Sequence, residues 1–590
     1  MEKAGGSSPP GPTIFLDMNL DTLRHSCSHV MAVAVKQLWP GAKVAIGPSI
    51  EDGFYYDFDK KEPFTDDDLA RIEERMAEII KKNESFVRED LSKKDAIDLF
   101  TKLGEDYKVE LIRAIPDETV SIYRTGPDFV DLCRGPHIAS TGQIKAFKLL
   151  SVAGAYWHGI ETNPMLQRIY GTCFETKPEL DQHLKSLEEA KLRDHRKLGP
   201  GLELFDIYQD IAGPGLVFYH PKGALVRKLI EDYEKAEHLK RGYQLVVTPH
   251  IMQAELWMTS GHYDYYKENM YTFKIEDREF VLKPMNCPGH ILIYKSKIRS
   301  YKDLPIRLFE LGTVYRHEKA GVMHGLLRVR GFTQDDAHIF CLPAQVRDEI
   351  KAAVGFVFDT MKVFGFEHMD IELSTRPAKS IGSDEDWNTA TAALEDSLKG
   401  LGLAYEVNEG DGAFYGPKID IKLKDALKRS WQCATIQCDF NLPKRFSLEY
   451  VDADGTAKQP IMLHRVLLGS VERFTACLTE HYAGAFPVWL APVQATVIPV
   501  REDFSAYGKE VVDALVQGGI RADMDARSET LNKRIRQAEV NKVPYILVVG
   551  ERELTSKQVS VRKRREGDKG SMALDAFIEQ VGREIMDRAQ

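Results

Sequence analysis

At 590 residues, with 43% hydrophobic and 28% charged residues, the chain is too long for one core and has an ordinary globular composition, which excludes a fibrous or wholly disordered protein. A net charge of −10 excludes a surface that is basic throughout, as general nucleic-acid coating requires, but allows local basic patches. Eight cysteines without a dense framework argue for a reducing compartment, and no run reaches the roughly 18 apolar residues that cross a bilayer, so a soluble cytoplasmic protein is expected.

The chain opens on MEKAGGSSPPGP, which lacks a basic-then-apolar targeting pattern and reads as a disordered leader over residues 1–20. Asp21 to Trp39 has helical periodicity, and His25 and His29 share one face at i and i+4. Ala45–Phe58 alternates glycine and aromatics as strands and turns do, and Phe64–Asn83 is a charged amphipathic helix. DLCRGPH (Asp131–His137) and a further glycine-rich stretch complete one α+β domain, residues 21–175.

Residues 176–198 read as a linker helix that the GPG of Gly199–Gly201 breaks. Residues 199–488 are too rich in strands for a helix bundle. A helix is expected at Gly223–Arg241, a strand at Tyr243–Thr248, and a helix at Leu342–Phe364. Between the last two lies the stretch around which the chain is organised, Glu310–Phe340. It reads as an antiparallel hairpin with a glycine-bounded loop at Gly321–Gly325 and a return strand LLRVRGF. Arg316, Arg328 and Arg330 on or beside its strands suit a polyphosphate, because a guanidinium fork grips phosphate oxygens in pairs; a charged surface hairpin is the other reading. Residues 489–590 alternate strands and helices, as a small α/β domain with a partly parallel sheet does, and carry a basic run at Lys557 and Arg562–Arg565.

Cys287 in KPMNCPGH, His338 and His464 could together hold one Zn²⁺ with a fourth position open, but spacing this wide proves nothing and by itself favours three buried structural residues. His25 and His29 with Cys133 and His137 form two i, i+4 pairs in one domain, suited to a metal or to general acid–base hydrolysis. GAFYGPKID (Gly412–Asp420) offers glycines that let a ligand approach the backbone, with Tyr415 and Lys418 beside them. LLGSVERF brings Arg473 onto a helix start, where an anion can sit. Each of these two could also be ordinary surface.

Taken together these pieces resemble the class II aminoacyl-tRNA synthetases, and among them the threonine-specific members. The resemblance is carried by QLVVTPHI with Pro249, by TVYRHE through RVRGFTQDDAHIF, by LHRVLLGSVERF, and by MNCPGH, STRPAKSIGSDEDW, GAFYGPKID and the HSCSH and CRGPH pairs. It implies an α+β multidomain fold: an N-terminal editing domain, a class II antiparallel-sheet catalytic core and an α/β anticodon-binding domain. Only about 20 residues precede HSCSH, which implies a bacterial-type arrangement without the small extra β-rich domain with which many members begin.

The same resemblance implies residue roles. Cys287, His338 and His464 would hold zinc, one ion per subunit. L-threonine would meet Gln334, Asp336, Tyr415 and Gln437. Arg316 would hold the reacting carboxylate and α-phosphate, while Arg328, Phe332, Gln432, Thr435 and Arg473 would bind ATP with its Mg²⁺, Lys418 sitting nearby. His25, His29, Lys108, Asp131, Cys133 and His137 would hydrolyse mischarged Ser-tRNA, and Arg562 would touch tRNA(Thr). A homodimer is implied. The rival expectations are a zinc hydrolase built on the N-terminal pairs, and a tRNA-binding regulator without catalysis.

Overall fold

The computed structural model describes residues 19–127, 129–160, 162–427 and 429–589, and the expected leader lies almost wholly outside them. The chain divides into two compact units, residues 1–188 and 189–590.

In the first unit the helix Leu20–Leu38 is buried from Leu23 to Val35 except at His25; its second half, Val30–Val35, is apolar on every side, while its first half buries the polar Arg24, Ser26, Ser28 and His29. It packs with a five-stranded antiparallel sheet whose longer strands are Gly53–Asp59, Met165–Phe174 and Ala146–Tyr156. The helix Asp66–Lys82 covers the same core with Leu69, Ile72, Met76 and Ile79. Thr65 and Asp68 close its start as a capping box, acids occupy its first turn, and Asn83 ends it in the left-handed region. A smaller antiparallel sheet, Phe86–Ser92, Thr119–Thr125 and Phe129–Leu132, packs on the helices Lys93–Lys102 and Asp106–Ala114.

The second unit is built on eight strands: β1 (Gln244–Leu245), β2 (Ile306–Tyr315), β3 (Gly331–Cys341), β4 (Met369–Ser374), β5 (Glu406–Asn408), β6 (Lys418–Lys424), β7 (Ser430–Asp439) and β8 (Ile461–Val466). Their order in the sheet is β1-β2-β3-β8-β7-β6-β4-β5, antiparallel except at the two edge pairs. The helices Pro221–Lys240, Val346–Val363, Asp384–Gly400 and Val471–His481 bury one face of the sheet in the largest core. The other face is left for the site. The tail sheet runs Ala522–Met524, Ala495–Pro499, Tyr545–Val549, Gln558–Lys563, Gly567–Ala573, parallel across its first three strands and antiparallel across the rest.

The central hairpin is present, Ile306 facing Phe340 and Tyr315 facing Gly331. Three local expectations differ. The return strand begins at Gly331, so Arg328 and Arg330 lie in the loop. There Leu326 and Val329 are buried, and the backbone bonds elsewhere, Arg330 N–H to Gly215 O at 2.8 Å. The strand expected at Tyr243–Thr248 makes ladder pairs only at Gln244 and Leu245, because Thr248 N–H turns to the Glu310 carboxylate at 2.8 Å. The linker helix breaks at Asp194, whose side chain caps a second helix, His195–Gly201, and the GPG sits inside that helix.

Candidate active site and N-terminal pocket

Strand periodicity puts Gln334, Asp336 and His338 on one face of β3. Register then sets His464 of β8 opposite His338, Gln437 of β7 opposite His464, and Lys418 of β6 opposite Gln437. Cys287 opens the helix Cys287–Lys295 above this row. The ligand atoms of Cys287, His338 and His464 all lie within 4.8 Å of one another, and all three residues are buried. His338 Nε2 is 3.0 Å from His464 Nδ1, close to the edge of about 3.3 Å that two imidazoles span on tetrahedral zinc. His464 Nε2 meets Asp439 Oδ2 at 2.9 Å, and His338 Nδ1 meets His290 Nδ1 at 2.8 Å. These outer partners orient the rings as partners of metal-bound histidines do. Burial holds His338 well below the usual imidazole range, and so neutral, and pushes the Cys287 thiol up. The donor set therefore fits Zn²⁺.

These ligands face a cavity of about 270 Å³ lined also by Gln334, Asp336, Tyr415, Gln437 and Arg316. Asp336 accepts from Asn286 Nδ2 at 3.0 Å, and the Tyr415 hydroxyl donates to Gln437 Oε1 at 2.5 Å. Gly416 lets the Tyr415 loop lie flat on β7, since a Cβ there would stand 2.1 Å from Cys438 O. Arg316, Gln334, Thr435 and Val466 also line a second cavity of about 350 Å³, with Arg328, Phe332, Gln432 and Arg473 on its walls. Arg316 sits over the Phe332 ring, 5.2 Å from its centroid. Arg473 is held by Leu327 O at 3.2 Å and Gln432 O at 3.2 Å, while Arg328 pairs with Glu318 at 2.9 Å. Lys418 lines neither cavity; it pairs with Asp420 at 2.8 Å and Asp411 at 3.0 Å.

In the first unit His25, His29, Cys133 and His137 also converge, with ligand atoms within 4.8 Å of one another. Cys133 Sγ lies 3.4 Å from His25 Nε2 and 3.3 Å from His137 Nε2. Asp131 is buried beside Lys108, accepts from the Tyr56 hydroxyl at 2.6 Å, and is 3.5 Å from His29 Nε2. Burial and neighbouring imidazoles hold His29 far down and bring His137 to about 2; burial lifts Cys133 to about 11. The cluster is thus neutral imidazoles around one buried ion pair, at the wall of a cavity of about 930 Å³.

Arg562 lies on the strand Gln558–Lys563, with Asp568 at 3.9 Å. The sequence reading missed Asp439 and Tyr56, and also Asn286 and His290, although these two flank Cys287 in the MNCPGH motif. It also missed His262 and Tyr266, which line the metal-side cavity and sit in the aromatic run GHYDYY.

Residues 271–482 match the tRNA synthetase class II core domain (G, H, P, S and T), 494–584 the anticodon binding domain, and 120–170 the threonyl and alanyl tRNA synthetase second additional domain. The threonine–tRNA ligase of Oleidesulfovibrio alaskensis is 58% identical over 95% of this chain and 86% of its own length, and that of Pelobacter propionicus 58% over 95% and 87%. A solved structure, the RNA binding domain of threonyl-tRNA synthetase from Cryptosporidium parvum Iowa II, is 43% identical with a TM-score of 0.64, covering 66% of this chain and 98% of that one. At that identity and coverage, the chain belongs to the threonine–tRNA ligase family of class II aminoacyl-tRNA synthetases.

Proposed function

We propose that the chain joins L-threonine to tRNA(Thr) through a threonyl-adenylate, selects threonine at zinc, and hydrolyses mischarged Ser-tRNA(Thr) in its N-terminal unit. One observation carries the reading: the Cys287, His338 and His464 cluster opens onto the arginine-walled cavity across a shared wall of Arg316, Gln334 and Thr435. An amino acid held at the cluster would present its carboxylate to Arg316. Zn²⁺ there, one per subunit, would offer open positions to the amino and hydroxyl groups of threonine.

The chain's own residues do the rest. Asp336, fixed by Asn286, accepts from the threonine hydroxyl, while Gln334, Tyr415 and Gln437 close the pocket. Phe332 offers its ring to adenine. Arg316, Arg328 and Arg473 neutralise the charge that grows on phosphate, with Mg²⁺ bound to ATP. Lys418, paired with Asp420, supports the same wall through Thr435, whose hydroxyl donates to Asp420 at 2.7 Å.

Valine lacks the hydroxyl and leaves Asp336 with Asn286 alone as a donor, one acceptor unmet, an arrangement that rejects an analogue by roughly 10⁴-fold. Serine lacks only a methyl, which is worth roughly 10–200-fold, so a second site is needed. His25, half-buried at the cavity wall with His29 and His137 packed against its ring, is the imidazole placed to take a proton from a water beside the Lys108–Asp131 pair, the chemistry that ester hydrolysis of Ser-tRNA requires. Arg562 is assigned to tRNA contact. Leu245, Val247 and Ile251, exposed around the short edge strand β1, support a homodimer, and a cytoplasmic location suits the reduced cysteines.

Amino-acid-dependent ATP–pyrophosphate exchange tests the reading. Zinc-dependent exchange with threonine, weaker with serine and absent with valine, supports it; no exchange with any of the three overturns it. His29→Ala should leave threonylation intact while Ser-tRNA(Thr) accumulates.

A further inference from the structure

His195 is fully buried, and its backbone N–H and both ring nitrogens are engaged. Its backbone N–H donates to Glu480 Oε1 at 3.1 Å, and its Nδ1 lies 2.6 Å from the same oxygen. A carboxylate only accepts, so Nδ1 carries the ring proton and Nε2 is left as an acceptor. That acceptor takes the N–H of Leu326 at 3.0 Å. Arg429 holds the other oxygen of Glu480 at 2.6 Å. Asp194, His195 and Glu480 stand close enough to suggest a cation site, but Nε2 points to Leu326 and Glu480 already pairs with Arg429, which it shares with Asp425.

Leu326 belongs to the loop whose Leu327, Arg328 and Val329 line the arginine-walled cavity. At the next residue, Leu327 O accepts from Arg473 Nε at 3.2 Å. Two adjacent residues of the loop are therefore held, Leu326 by its N–H through His195 and Leu327 by its carbonyl through Arg473. Both holds run to the helix Val471–His481, which carries Arg473 and Glu480. Gly325 records the closeness of the ring: its φ is +52°, and a Cβ there would stand 2.1 Å from His195 Nε2.

We infer that His195 is a positioning residue for nucleotide binding. Glu480 fixes its tautomer, and the ring holds Leu326 so that Leu327 and Arg328 stay at the cavity wall. His195 lines neither cavity, so it acts only through the loop. The inference rests on ATP being the ligand of that cavity, as proposed above.

The test is ATP–pyrophosphate exchange on the full chain, with KM measured for ATP and for threonine. His195→Ala removes the acceptor and should raise KM for ATP about tenfold while KM for threonine holds. His195→Gln, whose carbonyl can reach Leu326 N–H, should return KM for ATP to within about threefold of the unmodified chain. Gly325→Ala, which drives a methyl into the ring, should reproduce the ATP-selective defect, and decides the matter should His195→Ala fail to fold. An unchanged KM for ATP, or equal rises for both substrates, overturns the positioning role. No exchange by the unmodified chain overturns the proposed function itself, and this inference with it.

Discussion

His464 Nε2 and Asp439 Oδ2 lie 2.9 Å apart, with Asp439 fully buried. The carboxylate accepts a hydrogen bond from Nε2–H, which keeps the proton on that nitrogen and leaves the Nδ1 lone pair facing His338 and Cys287, the tautomer a metal requires. Its other oxygen accepts the N–H groups of Asn441 and Leu442 at 2.7 and 3.0 Å, so the carboxylate is itself held. Asp439→Asn keeps an oxygen for those amides and removes the charge. Zinc affinity should fall about 10–100-fold. Competition against a chromophoric chelator measures it, and unaltered affinity would remove Asp439 from the metal-binding role.

Gly312 is the position through which the proposed threonine pocket can be disturbed without touching it. It faces Gln334 across the hairpin, and a Cβ there would stand 2.4 Å from Asn286 Nδ2, the atom that donates to Asp336. Gly312→Ala should displace Asn286, leave the buried Asp336 without its donor, and raise KM for threonine about tenfold with KM for ATP unchanged. Discrimination against valine should fall with it. Exchange assays with both amino acids read the effect, and a selective rise for ATP would contradict this account.

The N-terminal histidines should make their unit sensitive to acid. Unfolded, each titrates at about 6.5. Folded, His137 is held at about 2 and His29 well below its ordinary value, chiefly by burial. Below pH 6.5 the unfolded chain binds protons that the folded unit refuses. The stability from these groups is therefore complete above pH 6.5 and drains as pH falls, by up to about 1.4 kcal/mol per pH unit for each ring. Hydrogen exchange at the helix Leu20–Leu38, corrected for its intrinsic pH dependence, should show protection falling from pH 6.5 to 5. His137→Gln should make that fall shallower; an identical slope would show that His137 does not contribute.

Much of this was legible from sequence because it is local or periodic. His25 and His29 at i and i+4, the alternation that puts Gln334, Asp336 and His338 on one face, and the amphipathic helices all follow from chain geometry. What pairs across the sheet was not legible. Nothing near Asp439 announces His464, nor anything near His195 announces Leu326; each partnership exists only once strands or helices far apart in the chain are laid together. The LLRVRGF misreading has the same origin. Its alternation is that of a strand, but Leu326 and Val329 are buried by packing of the loop, and its N–H groups find partners outside the ladder. The basic run near the end also looked uniform, and it is not.

Arg562 and Arg564 stand two residues apart in that run and should behave in opposite ways. Arg562 keeps about a third of its side chain in solvent, with Asp568 at 3.9 Å. Arg564 is turned inward. Its guanidinium donates to Ala485 O at 2.9 Å and Phe486 O at 2.6 Å, and also to Lys542 O. Burial brings its pKa down to about 10, which still leaves it charged at neutral pH. Arg564→Ala leaves three carbonyls without a donor and should destabilise the tail by about 2–3 kcal/mol, seen as a lower melting transition. Arg562→Ala should leave that transition in place and weaken tRNA(Thr) binding by about 1–3 kcal/mol, with ATP–pyrophosphate exchange unaffected. Melting curves and filter binding on the two variants separate the roles. Equal tRNA affinity for Arg562→Ala and the unmodified chain would move RNA contact off this strand.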